Sequence, residues 1–274
     1  MAKDELVVGA VQLNSQADVA KNLESCRRQV ARAASRGAEL VVLPENFAFF
    51  GPETDKRSIA EALVDGPISS ALRAMAREHR VSVVAGGFPE SSGDADRPHN
   101  TLLVVGPDGS DLATYRKIHL FDVELGSGGS YAESDATSAG SSVVVVEVAG
   151  FKLGLSICYD LRFPELYRAL SEQGAEVLLV PAAFTLHTGK DHWHVLLRAR
   201  AIEAQAFVVA AGQQGAHYGG RQTYGHSLVC DPWGTVIAEA YDGEGVVCAT
   251  LERARLESVR SSLPSLRHRK LGRS

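Results

Sequence analysis

One cysteine in the chain lies between a buried strand pattern and the start of a helix. The segment FKLGLSICYDLRFPELYR covers residues 151–168 and places Cys158 directly after the apolar run Phe151–Ile157. Pro164 suits the first turn of a helix, because its missing N–H has no partner to lose there. Helix N–H groups carry partial positive charge that lowers the pKa of a nearby thiol, and the thiolate is the reactive form. Cys158 is therefore a candidate nucleophile, with a buried structural thiol as the alternative.

Two other residues at predicted strand ends have side chains that would complete such a site. Glu45 follows the apolar run LVVLP, where a buried carboxylate suits a proton acceptor. Lys117 ends a predicted hairpin in YRKIHLFD, where its ammonium would stabilise the oxyanion of a tetrahedral intermediate. Taken singly, an acid at a strand end is usually a cap or an ion-pair partner, and a lysine after an arginine is usually solvated. Because sites of α/β proteins gather at the carboxyl ends of strands, we expect Glu45, Lys117 and Cys158 to lie together.

An internal duplication indicates how these residues are positioned. Each half runs strand, helix, strand, helix, strand and hairpin, and GAELVVLPENF (37–47) matches GAEVLLVPAAF (174–184), with Ala182 in the place of Glu45. We predict an α/β fold, an α-β-β-α sandwich with two mixed sheets packed between helices. The predicted helices are Asp18–Ser35, Ile68–Arg80, Pro164–Gln173 and Asp191–Gln205, and the predicted strands include Leu6–Leu13, Glu39–Leu43, Val81–Gly86, Thr101–Val105, Val177–Val180 and Phe207–Ala211.

Composition and charge restrict the class of protein. With 274 residues and 45% hydrophobic content, the chain is expected to form a single domain over 1–274, with a basic tail from about 252 to 274. The Gly/Ser-rich stretch Gly126–Ser142 is interpreted as a surface loop or lid. No apolar run has the length of a membrane span and the N-terminus lacks a signal-peptide pattern, so we expect a cytoplasmic protein without membrane contact. The net charge of −5 argues against nucleic-acid binding.

The cysteines and histidines suggest alternatives to acyl chemistry. The four cysteines show no CxxC spacing, so a disulfide framework is not expected, and a thiol redox protein would need a resolving cysteine near Cys158. Zinc binding would use His187, His192 and His194. Residues two apart on a helix point to nearly opposite sides, so no metal site is expected. Arg198, Arg200 and Glu203 lie in the segment LRARAIE (197–203). They form either an interior ion-pair network or pairs on the helix surface, and the sequence leaves both possibilities open.

Three segments resemble a known family. LPENF, YRKIHLFD and SICYDLRFPELYR are similar to the Glu, Lys and Cys signatures of the nitrilase superfamily, the carbon–nitrogen hydrolases, in that family's order and over nearly the whole chain. The resemblance implies an α-β-β-α sandwich, a homodimer or larger homo-oligomer and no metal or organic cofactor. It also implies Glu45 as general base, Lys117 as oxyanion stabiliser and Cys158 as nucleophile. A second catalytic glutamate is assigned to Glu133, with Glu124 as the competing candidate.

Further segments resemble one branch of that superfamily. LPENFAFFG, CYDLRFPELYR, AFTxxTG and YGHSxVxDPWG are most similar to the deaminated glutathione amidases, which release 2-oxoglutarate and Cys-Gly, while ω-amidases acting on α-ketoglutaramate are close. Both act on small α-keto-acid amides, so the resemblance implies an anion-binding residue near the thiol. Arg162 is assigned this role, with a salt bridge to Asp160 as its alternative, and His194 replaces a glutamate usual in the branch. The other predicted substrate-binding residues are Tyr159, Phe184 and Thr188.

Other functions stay open beside this reading. An N-carbamoyl amidohydrolase would use the same three residues on a different small molecule. A catalytically silent binding or regulatory member would be expected to lose one of Glu45, Lys117 and Cys158, and the chain keeps all three.

Overall fold

The computed structural model describes residues 3–124, 126 and 130–271. The strands of the first half are β1 (Glu5–Gln12), β2 (Leu40–Leu43), β3 (Ser82–Glu90), β4 (His99–Val105), β5 (Asp111–Arg116), β6 (Asp122–Glu124) and β7 (Ser130–Ala132). Those of the second half are β8 (Val145–Val148), β9 (Phe151–Leu155), β10 (Val177–Ala182), β11 (Phe207–Gly212), β12 (Gln214–Ala216), β13 (Gln222–Tyr224), β14 (Leu228–Cys230), β15 (Val236–Glu239) and β16 (Gly245–Glu252). The helices are α1 (Val19–Ala34), α2 (Pro67–His79), α3 (Pro164–Glu172), α4 (Leu186–Ala204), α5 (Arg253–Ser262) and α6 (Ser265–His268).

Two six-stranded mixed sheets form the centre of the molecule. The first has the order β16-β1-β2-β3-β4-β5 and the second the order β15-β14-β11-β10-β9-β8. In each sheet the three central strands are parallel, because helices connect them, and the outer strands are antiparallel. Strand β1 packs against β11, and β2 packs against β10. Helices α1 and α2 cover the outer face of the first sheet, while α3 and α4 pack on β9 and β11 of the second. The predicted α-β-β-α sandwich is confirmed.

The side chains of β2 show how burial on both faces shapes a central strand. Leu40 and Val42 face the second sheet, whereas Val41 and Leu43 face α1 and α2. A strand covered on both faces reads as a continuous apolar run rather than an alternating one, which is the pattern LVVL in the sequence. The close approach of the sheets also requires a glycine, since a Cβ at Gly86 of β3 would lie 2.1 Å from the Cβ of Pro181 in β10.

The order of elements repeats in the two halves, as the sequence predicted. Strands β1, β2, β3, β4 and β5 correspond to β9, β10, β11, β14 and β15, and the added edge strands β16 and β8 lie beside β1 and β9. Gly37 and Gly174 occupy the same place before β2 and β10, with φ of 85° and 86°. This left-handed conformation favours glycine, so the matched GAE segments form matched turns.

Several boundaries differ from the sequence predictions. Helix α4 begins at Leu186 rather than Asp191, because Thr185 caps its first turn by accepting a hydrogen bond from the N–H of Thr188. The stretch 126–142, interpreted as a loop or lid, contains strand β7, and its residues 127–129 lie outside the described part of the chain.

The segment from about 252 onward was predicted to be a basic tail. It begins with the packed helix α5, whose Leu256 and Val259 are buried, and its last residues, 272–274, lie outside the described part. Within the described ranges, no helix combines the length and apolar character needed to cross a membrane.

Candidate active site

Glu45 lies just past the carboxyl end of β2 and is held by three donors. Its Oε1 accepts hydrogen bonds from Lys117 Nζ and Asn100 Nδ2, each at 2.9 Å, and its Oε2 accepts one from the Ala183 backbone N–H at 3.0 Å. The Gln213 side chain donates to the Glu45 carbonyl at 3.0 Å and fixes the backbone there. Since Glu45 is only 4% exposed, these bonds set the position of its carboxylate.

Lys117 follows β5 and lies between two carboxylates. Its Nζ donates to Glu45 Oε1 at 2.9 Å and to Glu133 Oε2 at 2.8 Å, and the residue is 2% exposed. Burial alone would lower the pKa of this ammonium, but the charges of Glu133 and Glu45 outweigh it and hold the pKa well above its ordinary value. Lys117 is therefore a fixed positive charge inside the protein.

Glu133, at the start of a short 3₁₀ helix after β7, occupies the second carboxylate position. Besides Lys117, its Oε2 accepts the Phe121 backbone N–H at 2.7 Å, and its Oε1 accepts Asn100 Nδ2 at 3.2 Å. Burial opposes its ionisation, yet Lys117 and then Lys56 hold its pKa below the usual value. The competing residue Glu124 is exposed on β6, so the structure brings Glu133 and not Glu124 to the lysine.

Asn100, on β4, is a member of this cluster that the sequence patterns did not indicate. Its single amide nitrogen donates to both Glu45 and Glu133 and so links the two carboxylates that hold Lys117. Its backbone carbonyl also accepts the N–H of Lys117 at 2.9 Å. In the sequence Asn100 is a polar residue within the strand pattern HNTLLVV. A polar residue in a strand does not by itself indicate a functional site.

Cys158 lies beyond the end of β9 with its thiol against Glu45. It opens a 3₁₀ helix, Cys158–Arg162, and has φ of 47°, a left-handed conformation uncommon for a non-glycine residue. Burial raises the pKa of its thiol well above the ordinary value, and the charge and hydrogen bond of Glu45 raise it further, against a smaller opposing effect of Lys117. The expectation that helix N–H groups lower this pKa is therefore wrong. Helix α3 begins only at Pro164, and the carboxylate beside the sulfur dominates.

Asp160 fixes the turn that carries Cys158. Fully buried, it accepts hydrogen bonds from the Ile157 N–H at 2.9 Å, from the Tyr115 hydroxyl at 2.7 Å and from the His119 N–H at 3.0 Å. Residues of β5 and of the segment after it thus bind the Asp160 carboxylate. No salt bridge joins Arg162 to Asp160, so this alternative interpretation of Arg162 is wrong. The sequence did not indicate this role of Asp160, because its partners Tyr115 and His119 are 45 and 41 positions away in the chain.

The guanidinium of Arg162 lies in a cleft beside the cysteine. Its carbon lies 5.0 Å from the centre of the Phe184 ring and 6.0 Å from that of Tyr159, and Nη1 lies 3.2 Å from Nδ1 of His192. Among the described residues it forms no ion pair. The cleft, together with the open solvent at its mouth, encloses about 850 Å³ of empty space. It is lined by Glu45, Lys117, Glu133, Cys158, Tyr159, Arg162, Phe184 and Thr188. All of the predicted site residues therefore meet in one place.

The cleft also contains residues that the sequence reasoning missed. They come from the long connection before α2, from the segment 121–131 and from the β12–β13 hairpin: Phe50, Glu53, Lys56, Phe121, Tyr131 and Arg221. These residues share no sequence motif, because they come from three separate parts of the chain that meet only in the folded structure.

The histidines considered for zinc do not converge. His192 faces Arg162, whereas His194 Nε2 lies 2.8 Å from Glu239 Oε1, which His226 Nδ1 also approaches to 2.7 Å. The ligand atoms of His194, His226 and Glu239 lie within 4.8 Å of one another, so these three residues could hold a metal ion, but none of them lines the cleft. The histidine at position 194 thus has a local partner on β15.

The helical arginines divide between interior and surface. Arg200 is 5% exposed and donates twice to the Leu161 carbonyl, at 3.0 and 2.9 Å, and to Glu203 Oε1 at 2.7 Å. Arg198 instead donates to the Gly234 carbonyl at 2.7 Å. The interior alternative therefore holds for Arg200, which supports the 3₁₀ helix that begins at Cys158.

Known proteins similar to this chain match it over nearly its whole length. Residues 7–261 match the family model for carbon-nitrogen hydrolases. A deaminated glutathione amidase of Synechocystis sp. is 47% identical over 266 residues, which cover 96% of this chain and 97% of that protein. The deaminated glutathione amidase of Homo sapiens is 40% identical, over 96% of this chain and 82% of its own. The crystal structure of the C. elegans NitFhit protein matches with a TM-score of 0.92 at 39% identity, over 98% of this chain, which spans 66% of that longer protein.

Proposed function

The chain belongs to the carbon–nitrogen hydrolase family, and we propose that it hydrolyses the amide bond of deaminated glutathione to give 2-oxoglutarate and Cys-Gly. It is an amidase, a hydrolase of amide carbon–nitrogen bonds. One observation carries the proposal: the thiol of Cys158, the carboxylate of Glu45 and the buried cation Lys117 share a cleft with Arg162, whose charge has no carboxylate partner among the described residues. The names of the relatives support the choice of substrate.

Acylation begins from a neutral thiol. Because burial and Glu45 keep the pKa of Cys158 high, the proton must leave as the sulfur attacks, and Glu45 is placed to accept it. The sulfur bonds to the amide carbon, and the carbonyl electron pair moves to oxygen, where Lys117 Nζ and the backbone N–H of Tyr159 stabilise the charge. Glu45 then returns the proton to the amide nitrogen. The carbon–nitrogen bond breaks, leaving a thioester on Cys158 and releasing the amine.

Deacylation uses the same groups in reverse. Glu45 takes a proton from a water molecule, whose oxygen attacks the thioester carbon, and Lys117 again stabilises the oxyanion. The carbon–sulfur bond breaks and the proton returns to Cys158, which restores the thiol and releases the acid. Glu133 and Asn100 act by positioning: their bonds to Lys117 and Glu45 keep the ammonium directed at the carbonyl oxygen of the reacting amide.

The acyl part of the substrate carries an α-keto acid, for which Arg162 is the proposed partner. A guanidinium binds a carboxylate through two parallel hydrogen bonds, and Arg162 lies four residues from Cys158 in the same cleft. Phe184 and Thr188, at the start of α4, would border the carbon chain between the two ends.

Substrate turnover tests the proposal. The purified protein is incubated with deaminated glutathione, α-ketoglutaramate, N-carbamoyl amino acids and a nitrile, and kcat/KM is compared. The highest value is expected for deaminated glutathione. A preference for α-ketoglutaramate would indicate an ω-amidase, a preference for N-carbamoyl compounds or nitriles would refute the branch, and no turnover of any substrate would favour a silent binding protein.

We propose further that the chain forms a homodimer or larger homo-oligomer through the surface of α4. This helix exposes Val195 (66%) and Ile202 (48%), and Trp233 (53%) is exposed in the turn next to Ile202. Exposed apolar side chains on one helix face are typical of an interface. Light scattering after size-exclusion chromatography should give at least twice the chain mass, and a monomer at micromolar concentration would contradict this.

A cytoplasmic location is also part of the proposal. All four cysteines are free thiols, as is usual for proteins of a reducing compartment. Cell fractionation of the source organism with an antibody to the chain should place it in the cytosolic fraction, and recovery in a membrane or secreted fraction would contradict this.

A further inference from the structure

The cleft has a positive group at each end of a row of aromatic rings, and two carboxylates beside its buried lysine. Lys117 is the cation bonded to both Glu45 and Glu133. At one end is Arg162, which forms no ion pair within residues 3–124, 126 and 130–271. At the other end Lys56 and Arg221 share one carboxylate, that of Glu53. A substrate with negative charge therefore fits best when its charges lie toward the two ends.

The second positive end is built around Glu53. Nη1 of Arg221 donates to Glu53 Oε1, and Lys56 Nζ lies 2.7 Å from Glu53 Oε2. Burial would raise the pKa of Glu53, but Lys56 and Arg221 lower it to about 2, so the carboxylate stays charged at neutral pH. Two cations against one anion leave a surplus positive charge at this end. Glu133 compensates part of the charge of Lys56, so the surplus lies mainly on Arg221.

Arg221 has donors left for a ligand. It lies on the β12–β13 hairpin, its side chain is 29% exposed, and it lines the cleft. Of its side-chain nitrogens, only Nη1 has an acceptor in the part of the chain that the structure describes. Guanidinium groups of this kind, held on one side and open on the other, bind carboxylates in bidentate geometry.

Three aromatic rings in successive contact link the two arginines. Tyr159 lies 5.0 Å from Phe121 between ring centres, and Phe121 lies 5.1 Å from Tyr131. The Arg162 guanidinium carbon is 6.0 Å from the Tyr159 ring, and that of Arg221 is 5.6 Å from the Tyr131 ring. Each arginine therefore contacts a different terminal ring of this row.

We propose that Arg221 binds a carboxylate on the amine leaving group, so that the preferred substrates are amides with one carboxylate on the acyl part and a second on a peptide-like amine. This inference rests on the proposed function, in which Arg162 binds the acyl carboxylate. Glu53 and Lys56 position the guanidinium of Arg221. An amide that releases ammonia has no group for this subsite, whereas a dipeptide leaving group with a free C-terminus fills it.

The test compares three substrates with one variant. Arg221→Gln removes the charge, and kcat/KM is measured for deaminated glutathione, for its C-terminal carboxamide and for α-ketoglutaramate. We expect a loss of about 10- to 100-fold for deaminated glutathione, mainly in KM, because a charged hydrogen bond is removed. The carboxamide and α-ketoglutaramate, which lack that carboxylate, should change by less than about twofold. Arg221→Lys should recover part of the loss.

Two controls make the outcomes distinct. Arg57→Gln changes an exposed arginine of the 3₁₀ helix Glu53–Ser58, which also carries Glu53 and Lys56. Arg57 pairs with Asp96 outside the cleft, so this variant should leave all three values unchanged. Equal losses of Arg221→Gln on all substrates, or no loss on any, would overturn the inference while leaving the proposed function intact. Absence of deaminated glutathione turnover by the unsubstituted enzyme would overturn the proposed function and this inference with it.

Discussion

The carboxyl ends of β2 and β10 are equivalent places in the duplicated fold, yet they differ in chemistry. β2 leads into Glu45, whereas β10 ends at Ala182, and the neighbouring Ala183 donates its N–H to the Glu45 carboxylate. One copy thus provides the ionised group and the other a backbone donor for it. A carboxylate in place of Ala182 would be buried without a cation of its own, which would destabilise the folded state. The ends of β2 and β10 can therefore face each other only because their residues differ.

The ends of β1 and β9 show the same division. Val8 is in register with Leu40 of β2, and Leu153 is in register with Val177 of β10. Leu13 and Cys158 each lie five residues further along, so a leucine of the apolar core stands where the other half has the proposed nucleophile. In the proposed mechanism the first half therefore carries the base and the oxyanion cation, and the second half carries the sulfur.

The connections that follow β2 and β10 differ in length. In the first half, residues 44–66 separate β2 from α2 and include a 3₁₀ helix, Glu53–Ser58, that contributes Glu53 and Lys56 to the cleft. In the second half only 183–185 separate β10 from α4, whose first turn brings Thr188 to the cleft. Residues that line the cleft thus come from an insertion in one half and from a helix terminus in the other.

Removal of the nucleophile should have the largest effect. Cys158→Ala should lower kcat by about 10⁴-fold or more, since no other thiol lines the cleft among the described residues, and its fold should be retained because a small side chain is shortened next to an open cleft. Steady-state turnover and far-UV circular dichroism measure both. Cys248→Ala, a partly exposed cysteine on β16, is the matched control and should keep normal activity. Turnover above about 1% in Cys158→Ala would contradict the division between the halves.

Removal of the cation should affect both activity and stability. Lys117→Met is expected to lower kcat by about 10²- to 10³-fold through loss of oxyanion stabilisation. It should also lower the free energy of unfolding by about 3–5 kcal/mol, because Glu45 and Glu133 are left buried together. Adding Glu133→Gln should restore part of the stability but not the activity, as measured by urea unfolding and turnover. A single variant as stable as the original protein would show that the two carboxylates do not need this lysine.

The smallest expected effect is the acid sensitivity of the insertion. The pKa of Glu53 is lowered in the folded state from 4.5 to about 2, so its charge contributes stability above pH about 4.5 that is lost as the pH falls toward 2. As the pH falls through that range, the unfolding free energy of the original protein should therefore decrease by about 2–3 kcal/mol more than that of Glu53→Gln. Urea unfolding at several pH values measures this, with the exposed Glu124→Gln as control. Parallel curves for Glu53→Gln and the original protein would argue against the Glu53 ion pairs.

Much of the fold could be predicted because its signals are local. The apolar runs of β2 and β10, the glycines before them and the hairpin turns depend on neighbouring residues, so the sequence indicated their order and their duplication. The strands β8 and β16 were missed, although their segments are apolar, because each is an edge strand added outside the repeated order and is held by pairing with β9 and β1. The start of α4 was misplaced by five residues because the capping role of Thr185 depends on the turn that delivers it.

The sequence by itself determined which residues are proposed to act: Glu45, Lys117 and Cys158 stand at strand ends in local motifs, and Glu133 follows from the family resemblance. Only the tertiary structure decided their charge states and their partners. The pKa of Cys158 is raised rather than lowered because burial and the Glu45 carboxylate act across the packed sheets. Asn100 and Arg221 enter the site from other strands and loops for the same reason: electrostatic energies depend on distances in space, which sequence separation does not give.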